Sequence, residues 1–102
     1  MSYRLEWPLG VEQSIERLTA TDRDGARLVT AAILTLAENP RPGGVHVLDE
    51  AEGLHLVHLS RPDPRTGRPL RYRIVYQIRD RDLIVIVVTA AALPAPSRRR
   101  QR

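Results

Sequence analysis

The side chains best suited to chemistry in this sequence are arginines and a few histidines, and the arginines are arranged. From Leu70 to Arg79 the chain alternates, with Leu70, Tyr72, Ile74, Tyr76 and Ile78 on one face of an extended segment. Arg71, Arg73, Val75, Gln77 and Arg79 fall on the other. A guanidinium is always charged, planar and forked, so such a face suits phosphate or carboxylate groups. A histidine such as His58 can give or take a proton near neutral pH, although a lone strand histidine is also an ordinary packing or surface residue. His46 and His55 have no partner in the sequence that suggests a metal site or a dyad. Cysteine is absent, which excludes disulfides and thiolate zinc sites.

The charge balance points the same way. The net charge of the 102 residues is +4, but residues 1–60 hold five arginines against nine acids, and residues 61–102 hold eleven against three. A basic second half implies an anionic partner, either nucleic acid or an acidic protein segment. All sixteen basic residues are arginine, a bias that GC-rich coding also produces, so arginine identity alone carries less weight than position.

These side chains need a scaffold, and the hydrophobic periods supply one. Leu83 to Val88 is a run of six apolar residues, which predicts a central strand covered on both faces. The charged Arg79-Asp80-Arg81-Asp82 before it reads as a short reversal, so the two strands should form an antiparallel hairpin. Upstream, Tyr3 to Trp7 alternates and predicts a first strand ended by Pro8. Val11, Ile15 and Leu18 recur at helical spacing and predict a helix over 10–19. Thr21-Asp22-Arg23-Asp24 resembles a capping box with Asp in place of Glu, opening a second helix to about Glu38. Its stripe is Val29, Ala32, Ile33 and Leu36, and Asn39-Pro40 stops it.

A loop over 39–44 leads to a strand from Val45 to Leu48, an acidic turn closed by Gly53, and a strand over 54–59. Residues 61–69, with three prolines and three arginines, predict an exposed, mobile arm. The expected order is β-α-α-β-β-β-β, an α+β domain over residues 1–90. Two helices cover one face of a mostly antiparallel, twisted sheet. Residues 91–102, ending Arg98-Arg99-Arg100-Gln101-Arg102, read as a flexible basic tail. No apolar run reaches the roughly 18 residues of a membrane span, and the first residues lack a signal-peptide core, so a cytoplasmic protein with no membrane partner is expected.

With these elements in order, the sequence resembles the RelE/ParE superfamily of bacterial toxins from type II toxin–antitoxin pairs. The resemblance runs through Tyr3-x-Leu5-x-Trp7, the helix pair, Glu38-Asn39-Pro40-Arg41-Pro42 and Gly53-Leu54. Most diagnostic is Tyr72-Arg73-Ile74-Val75-Tyr76-Gln77-Ile78 followed by Leu83-Ile84-Val85-Ile86-Val87-Val88. It implies the RelE-like fold and a cytoplasmic toxin neutralised by a cognate antitoxin that offers a small acidic segment. In the RelE branch the target is mRNA on the ribosome, cut by a metal-independent endoribonuclease. In the ParE branch it is DNA gyrase, inhibited without cleavage. No cofactor or metal is called for.

Metal-free RNA cleavage needs a group that draws the proton from a ribose 2′-hydroxyl, one that holds charge on the phosphorane, and one that protonates the leaving 5′-oxygen. The resemblance makes Arg73 the phosphate-holding residue, with a structural arginine paired to a neighbouring acid as the alternative. It places His58 where a second basic residue often stands, as candidate base or acid. Arg61 and Arg71 become candidate RNA-backbone contacts, or merely solvated arginines. Tyr72 and Tyr76 share the face of Ile74 and read as packing before stacking platforms. The sequence also departs from the family. Leu56 stands where a first basic residue of the third strand is usual, and Ala91 to Ser97 replaces a Gly-x-Arg ending followed by tyrosine. Any nuclease built here is therefore weak or atypical, and a non-enzymatic gyrase inhibitor or degenerate antitoxin-binding protein is the alternative.

Overall fold

The computed structural model describes residues 2–94. The elements are β1 (Arg4–Glu6), α1 (Leu9–Thr21), α2 (Arg23–Glu38), β2 (His46–Asp49), β3 (Leu54–Pro62), β4 (Pro69–Arg79) and β5 (Ile84–Ala92). They build a five-stranded sheet in the order β1-β5-β4-β3-β2, antiparallel except where β1 pairs with β5. The expected β-α-α-β-β-β-β arrangement, with two helices on one face, is the one observed. The basic run at 98–102 lies outside the described residues, and β5 extends two residues into the segment assigned from sequence to the tail.

The helices seal one face because their apolar stripes match it. Val11 from α1 and Val29, Ile33 and Leu36 from α2 bury against Val57, Tyr72, Ile74, Tyr76, Ile78, Val85, Val87 and Ala90. Tyr72 and Tyr76 are the largest fully buried side chains, so the packing reading of both is correct. Each phenol still finds an acceptor, as a buried hydroxyl must. Tyr76 donates to the Pro40 carbonyl at 2.7 Å, and Tyr72 donates to the Asp22 carboxylate.

Four local expectations are corrected. The cap of α2 is Asp22, one residue later than the capping-box reading, and its carboxylate accepts from the Gly25 amide at 2.9 Å. Thr21 belongs to α1 and turns its hydroxyl back to the Arg17 carbonyl at 3.3 Å, so a single residue separates the helices. The stretch 61–69 is no mobile arm. β3 and β4 stay paired out to Pro62 opposite Pro69. The turn between them is closed by the Asp63 amide on the Arg68 carbonyl at 2.8 Å and by Gly67, at φ +74°, on the Asp63 carbonyl at 2.7 Å. The proline count concealed a hairpin, because prolines at its first and last paired positions are tolerated there.

β5 is not covered on both faces. Val85 and Val87 are buried, Ile84 and Ile86 only half-buried, and Val88 is 42% exposed. Opposite Val75 and Tyr76 the partners are Thr89 and Val87, which leaves Val88 as an extra residue in a bulge. The bulge resets the alternation, so Ala90 faces the helices although it lies an odd number of positions from Val87.

Gly53 and the loops at the far end of the sheet lock β3, β4 and β5 together. Gly53 sits at φ +71°, and a Cβ there would lie 2.5 Å from the Ile78 carbonyl oxygen, so only glycine fits. Its own carbonyl accepts from the Ile78 amide at 2.9 Å. In the β4–β5 turn, Asp80 accepts from Arg41 through both carboxylate oxygens, at 3.1 and 2.7 Å, and from the Tyr3 hydroxyl at 2.7 Å.

Candidate functional site

The uncovered face of the sheet carries three of the four residues singled out from sequence, His58, Arg71 and Arg73. Alternation along β4 sends Tyr72, Ile74 and Tyr76 under the helices and leaves Arg71 and Arg73 exposed on the opposite side. β3 runs antiparallel beside it with His58 directly opposite Arg73 and Ser60 opposite Arg71. Cross-strand partners have Cβ atoms about 5 Å apart, so the imidazole and guanidinium rise side by side from one surface. Neither Arg71 nor Arg73 takes part in an ion pair among the described residues. Two cations standing free of acids on an open sheet form a surface that attracts anions and has not spent its charge internally.

A third side chain joins them. His46, at the start of β2, lies opposite Leu56, and its ring meets that of His58 edge-on with centroids 5.9 Å apart. Sequence reasoning set His46 aside because its neighbour is twelve residues distant. The only signal was the alternation of β2, too short to fix a face. The result is a row of His46, His58 and Arg73 across three adjacent strands. Ala91 of β5 completes it on the far side.

Arg61 is elsewhere. It occupies β3 on the helix-covered face, opposite Leu70, and its guanidinium meets Asp22 at 2.5 Å and the Tyr72 hydroxyl at 3.2 Å. Burial pushes the Asp22 carboxyl up, but hydrogen bonds from Tyr72, the Gly25 amide and Arg61 outweigh it, and the net effect holds the group below its usual value. The Tyr72 hydroxyl is pushed up, first by burial and then by its bond to Asp22. This is a structural network at the hinge between the helices, on the opposite side of the sheet from Arg73.

His55 is likewise structural. It is 6% exposed, its Nδ1 bonds the Gly53 carbonyl at 2.8 Å, and its ring stacks on Tyr76. No group of three or more His, Cys, Asp or Glu side chains is placed to hold a metal ion among the described residues. A cleft of about 510 Å³ lies on the helical side instead, lined by residues including Arg27, Thr30 and Leu34, and it contains none of the open-face groups. The open face thus presents an exposed cation beside an imidazole pair. Such a surface can hold a phosphodiester and exchange protons with it.

No protein-family model matches the chain, and no curated protein matches it in sequence. Solved structures do. A double mutant of the Escherichia coli toxin RelE in its free state superposes with a TM-score of 0.63 at 21% identity, covering 89% of this chain and 83% of that one. The RelBE2 toxin–antitoxin complex of Mycobacterium tuberculosis gives 0.62 at 17% identity, over 91% and 100% of the two chains. The YoeB/ParE toxin of Agrobacterium tumefaciens gives 0.61 at 20%, over 89% and 99%. The fold is therefore the RelE-like toxin fold.

Proposed function

We propose that this chain is the toxin of a type II toxin–antitoxin pair, acting in the cytoplasm on mRNA bound to the ribosome as a weak or atypical metal-independent endoribonuclease. One observation carries the reading: His58 and Arg73 are register partners on the uncovered face, exposed and free of acids. Arg73 holds the non-bridging oxygens of a scissile phosphate, and His58 moves a proton to or from the sugar oxygens. Arg71 follows the RNA backbone on the same strand. A small acidic antitoxin segment is the partner that such a basic face favours, and an antitoxin peptide accompanies a RelE toxin in one structure of similar fold, with a TM-score of 0.56.

The non-enzymatic reading, a gyrase inhibitor or a degenerate antitoxin-binding protein, draws on a different observation. Directly opposite Arg73 the neighbouring strand places Ala91, and the next open-face position, opposite Val75, is the uncharged Thr89, so the β5 side supplies no second cation for the phosphate. Losing one preorganised charge-stabilising donor costs on the order of 10²–10³ in rate.

Primer extension on transcripts from cells expressing the protein separates the two. Cuts within translated frames, absent with Arg73→Ala, are expected. Intact transcripts in growth-arrested cells, together with inhibited supercoiling by purified protein at micromolar concentration, would move the assignment to gyrase.

A further inference from the structure

His46 has no part in the reaction just described, yet it stands nearer to His58 than sequence order suggests. The two rings touch edge to face, with planes at 75°, and both residues are exposed. His55 differs in every respect: it is buried and tied through Nδ1 to a carbonyl. The imidazoles of His46 and His58 are therefore the ones that a ligand on the open face can reach.

We propose that His46 and His58 act as a pair on one RNA phosphodiester, one ring as general base and the other as general acid, beside Arg73. This rests on the nuclease reading above and assigns the group that reading leaves out. In the step, the neutral ring takes the proton of the 2′-hydroxyl as O2′ attacks phosphorus. The P–O5′ bond breaks, its electron pair goes to O5′, and O5′ takes the proton of the imidazolium. The products are a 2′,3′-cyclic phosphate and a 5′-hydroxyl, and the two rings finish with their protonation states exchanged.

Geometry favours a pair over a single ring. Base and acid must serve two oxygens on opposite sides of one phosphorus, each within about 3 Å of a ring nitrogen. One ring would have to reorient between the two proton transfers. Two exposed rings on adjacent strands, with centroids 5.9 Å apart and their backbones set by the His46–Leu56 and His58–Arg73 pairings, bring two imidazoles to one surface while Arg73 takes the charge. The β5 flank of Arg73 presents Ala91 and Thr89, neither of which titrates near neutral pH, so the proton-transfer groups gather on the β2 flank.

The test is single-turnover cleavage of mRNA on programmed ribosomes by the full chain, comparing wild type with His46→Ala, His46→Gln, His58→Ala and Arg73→Ala. Both His46 variants should melt like wild type and cut about 10²- to 10⁴-fold more slowly, the usual span for one general acid or base. Added imidazole should recover part of the His46→Ala rate. A substrate with sulfur in place of the bridging 5′-oxygen leaves as a thiolate and needs no proton. It should restore whichever histidine variant lacks the acid and leave the other slow. Cleavage by His46→Ala within a few-fold of wild type, while Arg73→Ala is slow, overturns the role of His46 and leaves the nuclease reading standing. Slow His46 variants that respond neither to imidazole nor to the thiolate substrate also overturn it, by showing a structural role. No cleavage by wild type removes both.

Discussion

Arg61 and Asp22 form an ion pair of 2.5 Å on the helix-covered side of the sheet, which fastens β3 to the single residue between α1 and α2. The side chains are 21% and 18% exposed, and the Tyr72 hydroxyl completes the set by donating to the same carboxylate. Asp22 is at once the cap of α2, the counter-ion of Arg61 and the acceptor for a buried phenol.

Asp22→Ala should accordingly destabilise the fold more than an ordinary cap deletion, which costs about 0.5–2 kcal/mol. It also leaves Arg61 without its counter-ion and the Tyr72 hydroxyl without its acceptor. At the roughly 4–8 °C per kcal/mol of a domain this size, a fall in Tm of about 10 °C is expected in thermal unfolding. Arg61→Ala should lower Tm while leaving the open face, with His58, Arg71 and Arg73, unchanged. An Arg61→Ala protein with wild-type Tm and lost activity would instead return this arginine to the functional surface.

Arg73→Ala should do the reverse. Its side chain is exposed and holds nothing together, so stability should stay within about 0.5 kcal/mol of wild type. Under the nuclease function proposed above, growth arrest on induced expression should disappear and cleavage should fall by about 10²–10³. Arrest equal to wild type would dissociate this residue from toxicity.

Gly53→Ala places a Cβ against a backbone oxygen that cannot move without disturbing β4, and does so at a left-handed φ. The left-handed conformation alone costs about 1–2 kcal/mol with a side chain, and the overlap adds to it. Urea unfolding should show a loss of at least about 2 kcal/mol.

The tyrosines set an alkaline limit. Burial pushes Tyr76 up to about 12, burial and Asp22 raise Tyr72, and the bond to Asp80 raises Tyr3. A folded-state value above the unfolded one means that the protonated phenol favours the fold. Stability from Tyr76 is then complete below pH 10 and drains away as pH rises toward 12. Ultraviolet titration should show phenolate appearing later in the native protein than in urea, and Tm should fall steeply above pH 10.

Asp80 gives the opposite sign. The two bonds from Arg41, with that from Tyr3, lower it to about 2, so its contribution is present above 3.8 and lost as pH falls toward 2. The side chain is 56% exposed, so the effect is small and screened by salt. Asp80→Asn should flatten the acid limb of Tm against pH at low ionic strength and change little at high salt.

Much of this architecture was legible because its signals are local and regular. Leu70 to Ile78 alternates without a break, which fixes the face of Arg73, and the stripe of α2 has one place to bury. What escaped depends on partners distant in sequence. Arg61 carries the same charge as Arg71, and only its position one step out of phase with His58 puts it under the helices. His46 gains meaning from a neighbour on another strand. The run Ile84 to Val88 hid a bulge, since uniform residues carry no phase to reveal where alternation slips.

The parallel pairing of β1 with β5 has a consequence for how the chain is made. Arg4 waits for Ile84, eighty positions downstream, before its strand has a neighbour. During synthesis the helical hairpin can form early, but the sheet stays open at that border until the downstream strand has emerged. A chain interrupted before β5 lacks both the seat for its first strand and the wall that holds Arg73's strand in place.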